Sequence, residues 1–495
     1  MDPYASWLNA GDNSWQMTAA TLVGLMSIPA LAVLYGGLVQ KKWAMNTVLM
    51  VFVTFCLTLI AWVGWAYKMG FGTPLISTFV GDPRSVLGHL AEQGQADVPL
   101  LNGLMPKFRF PESSLVYFQF VFAAITPILF IGSVLGRISF KVWMIFVPLW
   151  ITFAYAVNAF LLWGGGYWAG KGALDFSGGY VIHLAAGVSG FVAAAMVGPR
   201  LKKDREKAIP NNLLFVAVGA GILWLGWNGF NGGDPYYAGA SMAAAVINTN
   251  IATATGVIVW MVMDALFTKE KKPTFLGGVN GMICGLVGIT PCAGWVNGRG
   301  AIYVGAICCA IVWVCWNYLS KVRPFSKVDD ALGVVYTHGI AGFFGGMLLG
   351  IFGDPNMIEY GCGHLTTAGQ VVATSQSTYS TGTAKCVITS VNGLMYTGSA
   401  HQLWEQFRAA IFVIIWSALI TFILMKIIGW VLRGARYKDE ILEVGDLAIH
   451  GEEAFPEETL AMRTDGAFAM AGLDKGGSGS PEPDDPAPPP GGGGS

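Results

Sequence analysis

Two histidines set in apolar surroundings carry the strongest chemical signal in the chain. His183 closes the run LDFSGGYVIH and His338 closes DDALGVVYTH. An ionisable side chain inside a hydrophobic segment is expensive to bury and marks a functional position by default. A neutral imidazole offers one donor and one acceptor, so two facing rings could share and relay a proton, titrating as a unit. The plainer reading is a pair of unrelated histidines bonded to nearby backbone. Their matched settings argue against it. Each follows an aspartate, Asp175 or Asp330, by eight residues, and each precedes small residues ending in Ala-Gly.

Eight helical residues rise about 12 Å, which puts both aspartates at helix ends. There the plain role is an N-terminal cap. For Asp175 the alternative is a buried negative charge that holds a cation at the outer mouth. Aromatic residues gather at the same end. Phe118 and Phe122 lie one turn apart, Trp163 precedes Gly164-Gly165-Gly166, and Trp227 and Phe230 lie close together. A ring face attracts a cation by about 0.5–2 kcal/mol. Interfacial belts and core packing are the plain alternatives for Trp and Phe.

Other chemistries find less support. The chain has no HExxH or CxxC motif, so no metal, cofactor or enzyme activity is expected. Two histidines on Gly-rich helices could ligate haem, yet the repeated Asp spacing has no haem rationale. A net charge of −1 without a basic stripe gives no reason to expect nucleic acid.

The elements that must position these side chains are legible from hydropathy. The chain is 54% hydrophobic and 12% charged, against about 25% charged in soluble domains. Its apolar blocks reach membrane-spanning length. Eleven transmembrane helices are expected, at about 14–38, 44–70, 113–136, 141–163, 179–198, 211–231, 241–267, 275–292, 299–320, 331–353 and 405–433. The N-terminus lacks the basic region of a cleaved signal peptide. Loops assigned inside carry eighteen Lys and Arg against eight outside, so the N-terminus is expected outside and the C-terminus in the cytoplasm.

The two histidine runs fall in the fifth and tenth spans, which run in opposite directions. That pattern predicts an all-α polytopic membrane protein with a five-plus-five inverted repeat and an extra C-terminal helix. Its transport site would lie near the midplane, where the repeats meet. Sixty-six glycines, many inside spans, fit close helix packing. Residues 1–440 are assigned to the membrane domain and 441–470 to a cytoplasmic regulatory tail. Residues 471–495, rich in Gly, Ser and Pro, are assigned to a disordered tail or appended linker. Cys362 and Cys386 share one loop expected outside, which would permit a disulfide between them.

The segments FQFVFAAIT (118–126), LLWGGG (161–166), GALDFSGGYVIH (172–183), GWNGFNGG (226–233) and YTHGIAG (336–342) resemble the ammonium transporter family of Amt, Mep and Rh proteins. The resemblance runs from about residue 14 to 455. It is nearest to the plant branch that is close to bacterial and fungal members. It implies a homotrimer in the plasma membrane, with one pore per subunit carrying ammonium or ammonia and methylammonium as an analogue. It also implies roles. Phe122 and Phe230 would close the outer pore, Phe118 and Trp163 would serve external recruitment, His183 and His338 would be the twin pore histidines, and Trp227 would line the pore. Asp175 would be the acidic residue below the recruitment site. Asp234 departs from the pattern, standing where a serine usually completes that site. In the tail, Ala448 replaces the threonine that is phosphorylated in the commoner plant type, so a cytoplasmic regulator there would need another handle. A sensor using the same outer site with little or no transport is the alternative reading.

Overall fold

Backbone polar groups cannot stay unpaired in hydrocarbon, so each long apolar segment must coil into a helix. The computed structural model describes residues 5–102, 105–357 and 391–455, together with the backbone of two short strands, Tyr379–Thr381 and Ala384–Cys386. Among the described residues, eleven helical runs cross the molecule: α1 (Ala10–Leu38), α2 (Lys41–Phe71), α3 (Glu112–Val134), α4 (Phe140–Gly170), α5 (Gly179–Val197), α6 (Leu213–Gly233), α7 (Ala240–Phe267), α8 (Phe275–Ile289), α9 (Gly298–Lys321), α10 (Val335–Phe352) and α11 (His401–Val431). All but α8 are long and apolar enough to span a bilayer. The side chains of Cys362 and Cys386, which could form a disulfide, and the tail 471–495 lie outside the described residues.

The short helix α8 departs from the expected span of 275–292. Its 15 residues end at Ile289, where Thr290 and Pro291 begin a turn. From Val279 to Ile289 it is buried almost without interruption. A helix enclosed by protein need not match the roughly 30 Å hydrocarbon thickness. By contrast α2, α7 and α11 each turn an apolar face outward, with Phe52, Ile60, Ile258 and Ile415 exposed. Such faces suit lipid or a partner subunit.

Side chains at the loop ends satisfy the first backbone N–H groups of the helices. The Asn212 carbonyl accepts from Leu214 and Phe215, the Thr274 hydroxyl accepts from Gly277, and Asn297 accepts from Arg299 and Gly300. On one face of the bundle, buried Arg137 donates to the carbonyls of Leu135, Gly198 and Asp329. Arg200 grips the Asp329 carboxylate at 2.7 and 3.0 Å. These contacts tie together the loops that follow α3, α5 and α9.

The chain returns to this same face after α11. Two short helices, α12 (Asp439–Val444) and α13 (Asp446–His450), lie against the start of α2. Asp446 caps α2 by accepting from the Met45 and Asn46 N–H groups at 2.7 and 2.9 Å. Lys42 donates to the Leu442 carbonyl at 2.8 Å and pairs with Asp204 at 3.0 Å.

Candidate functional site

The helices α5 and α10 cross where neither has a side chain. A Cβ on Gly187 would lie 2.3 Å from the Gly339 backbone, and one on Gly342 would lie 2.4 Å from the Gly179 carbonyl. The histidines sit in widened turns beside this crossing. Gly179–Leu184 and Val335–Ile340 are both π-helical, a geometry that frees backbone groups and recurs at functional positions. Nothing in the local sequence announces a π-turn. Only the repeat of the histidine run gave a hint that the two places are alike.

Contact follows from the close crossing. His183 Nδ1 stands 3.2 Å from His338 Nδ1, with ring centroids 5.3 Å apart and planes 22° from parallel. Both residues are buried. A hydrogen bond between two Nδ1 atoms needs one donor and one acceptor, so the pair holds a single shared proton between its rings. His183 Nε2 has no hydrogen-bond partner among the described residues.

Aromatic rings continue from the histidines toward the other end of the bundle. Trp227 stacks on His183 at 5.3 Å and 17°, while its Nε1 donates to Thr290 Oγ1 at 2.9 Å. Phe230 lies 5.8 Å from His183 and stacks on Phe122 at 4.2 Å and 15°. Phe122 in turn meets Phe118 at 4.7 Å and Trp163 edge-on at 6.1 Å. The order is therefore Trp163, the Phe122–Phe230 stack, His183 with Trp227, then His338.

Above the phenylalanine stack lies a cavity of about 290 Å³ whose lining includes Trp163, Asp175, Asp234, Tyr236 and Trp295. Trp163 is fixed there because its Nε1 donates to the Asp175 backbone carbonyl at 2.6 Å. The Asp175 carboxylate accepts from the N–H groups of Gly178, Tyr180 and Val181 at 2.9–3.1 Å. It thus caps α5 while lending its charge to the cavity. Asp330 caps α10 in the same way through the Val335 N–H at 2.8 Å. Asp234 is 3% exposed and lies in the same wall. Phe118 does not line the cavity. It is fully buried and turns its edge toward Tyr236 at 6.1 Å.

Three residues of this neighbourhood escaped the sequence reading: Tyr236, Trp295 and Thr290. Tyr236 adjoins Asp234 in NGGDPYY and takes a left-handed φ of 63°. Trp295 and Thr290 sit in the turn after α8, and no spacing rule links that turn to α3 or α6.

Fold and site together define a polytopic helical membrane protein with a polar pair enclosed in an apolar, aromatic interior. The family model described as the Ammonium Transporter Family matches residues 14–455, and the chain belongs to that family. "Ammonium transporter 3 member 2" of Oryza sativa subsp. japonica is 46% identical over 462 residues, covering 91% of each chain. The crystal structure of Saccharomyces cerevisiae Mep2 superposes with a TM-score of 0.72 at 26% identity, covering 88% of each chain. A structure called "Sensor Amt Protein" shares the fold at 22% identity, with a TM-score of 0.69 and coverage of 88% of this chain and 96% of that one. The family is one of transporters rather than enzymes, and ammonium is its substrate.

Proposed function

We propose that the protein recruits ammonium in the outer aromatic cavity, strips one proton, and conducts ammonia past the twin histidines. The observation that carries this reading is the buried His183–His338 contact at 3.2 Å, beneath the Phe122–Phe230 stack. Moving a small ion into a dry low-dielectric lane costs on the order of 20 kcal/mol in the idealised limit. Three aromatic contacts return at most about 6 kcal/mol. Deprotonating ammonium near neutral pH costs roughly 3–5 kcal/mol, so the neutral molecule is the cheaper passenger. Potassium has no proton to give and is refused.

In this scheme Trp163 and Asp234 surround the arriving cation, with the Asp175 charge beneath it and Phe118 behind the Phe122 ring. Phe122 and Phe230 part to admit it, and Trp227 holds the His183 ring in plane. The ammonium proton passes to the unpartnered His183 Nε2, the shared proton shifts to His338 Nδ1 and His338 releases its Nε2 proton inward, so one charge crosses with each ammonia. We further assign the protein to the plasma membrane as a homotrimer, N-terminus outside, with α12 and α13 as the docking point for cytoplasmic regulation.

Rescue of a yeast strain lacking its own ammonium transporters tests the core claim. Wild type should restore growth on low ammonium and take up labelled methylammonium, while His183→Asn and His338→Asn should each change rate or selectivity. Uptake absent in wild type, with ammonium still bound, would favour the sensor reading. Ammonium uptake that displaces no charge on a supported membrane would remove the relay and leave neutral conduction.

A further inference from the structure

The opposite end of the bundle holds a second cavity, of about 660 Å³, bordered by α1, α7, α8, α9 and the approach to α10. Two indoles form a corner of its wall. Trp260 of α7 and Trp316 of α9 stand 6.2 Å apart with planes at 75°. Asp264, one turn beyond Trp260, lies in the same wall and is only 8% exposed. Its Oδ1 accepts from Trp313 Nε1 at 2.8 Å. Among the described residues no cation pairs with it, whereas Arg200 is committed to Asp329 and Asp204 to Lys42.

Glycines set the shape of this corner. Gly333 has a φ of +70°, and a Cβ there would stand 2.1 Å from the Trp316 ring. The indole can press against the approach to α10 only because that position lacks a side chain. Each cavity has an indole from a helix that precedes a histidine run. Trp163 of α4 stands twelve residues before Asp175, and Trp316 of α9 stands fourteen before Asp330. One indole faces the outer cavity and the other the inner one.

We propose that Trp260, Trp316 and Asp264 form a second cation site at the inner mouth, a cage for ammonium and small alkylammonium ions arriving from the tail side. Two indoles and a carboxylate without an ion-pair partner among the described residues are the chemistry that recognises such ions, although Lys272 also lines the cavity. The proposal rests on the transport reading for its purpose but not for its detection. Within that reading, the site lets accumulated ammonium re-enter from inside and slow net uptake.

Tetramethylammonium chloride is a suitable probe, because it fits an aromatic cage and has no proton to lose. Calorimetric titration of the purified full-length protein reads binding whether or not the protein transports. Asp264→Asn keeps the acceptor for Trp313, and both it and Trp316→Leu should weaken one binding phase by about tenfold. Glu206→Gln, exposed and outside the cavity, should leave both phases as in wild type. Sealed inside-out vesicles add a sidedness test. Tetramethylammonium in the bath should inhibit labelled methylammonium flux in wild type and do so about tenfold less well in Asp264→Asn. Superimposable isotherms for wild type, Asp264→Asn and Trp316→Leu would overturn the site, as would equal inhibition of all three. A protein that binds the probe through these residues yet moves no methylammonium would keep the site and sink the transport reading instead.

Discussion

The orientation of His183 is set by its contact with His338 and by a ring held in place from another helix. Trp227 stacks on the imidazole, and the Trp227 indole is pinned by Thr290. Removing the acceptor strands a buried N–H, which costs about 1–3 kcal/mol. Thr290→Val preserves shape but not the acceptor, so the indole should tilt and lose its parallel contact with His183. Thr290→Ser keeps the hydroxyl and should behave almost as wild type. Methylammonium uptake in the two variants checks this, and equal activity would mean that Thr290 only fills space. The histidines and the aromatic residues were legible in the sequence because ionisable and aromatic types stand out against an apolar background. Thr290 was not, since a threonine among glycines and prolines after a helix resembles any other turn. Its role exists only through a partner 63 positions away.

At the scale of helices, the site is a crossing of α5 and α10, and its two glycines are not equivalent. A methyl group on Gly187 would sit 2.3 Å from the Gly339 backbone, which cannot yield without moving α10. A methyl group on Gly339 would meet Gly187 at 3.3 Å, a contact that a small shift relieves. Gly187→Ala should therefore separate the histidines and abolish most uptake, while Gly339→Ala should retain much of it. Uptake assays with thermal unfolding of both variants would expose a failure of this ranking. The inverted repeat was readable as an Asp–His spacing, but the paired π-turns and the short interior α8 were not, because backbone widening and burial by neighbours leave no compositional trace. A second element-scale prediction concerns the loop clamp. Burial would raise the Asp329 carboxyl, but hydrogen bonds and charge from Arg200 outweigh it and hold the group below its ordinary value. A depressed carboxylate stabilises the fold above its unfolded value near 3.8, and that contribution fades as pH falls through the folded value. Asp329→Asn should cost about 3 kcal/mol at neutral pH, with the gap to wild type closing in acid, as thermal unfolding across pH would show.

Among the described residues, ion pairs gather at the two ends of the bundle, on either side of the apolar belt. One gathers Lys42, Arg137, Arg200, Lys203 and Arg436, joined to Asp204, Asp329 and Glu443 and to the Pro199 carbonyl. The other holds Arg109 paired with Asp12 at 2.7 Å and Lys68 paired with Glu112. Chain segments far apart in sequence thus assemble a single basic face, and the α12–α13 tail docks on it. A dense basic face is retained on the cytoplasmic side during insertion, which is the basis for the proposed orientation with the tail and the larger cavity inside and Trp163 outside. An epitope joined ahead of Met1 should then be reached by antibody on intact cells, and one inserted after Phe455 only after permeabilisation. Neutralising Lys202, Lys203, Arg205 and Lys207, which lie in one inner loop, should weaken that bias without touching the histidine lane. Antibody access at residue 455 in intact wild-type cells would reverse the molecule in the membrane. The aromatic cavity would then become the cytoplasmic mouth, and capture from outside would have to begin at Trp260 and Trp316.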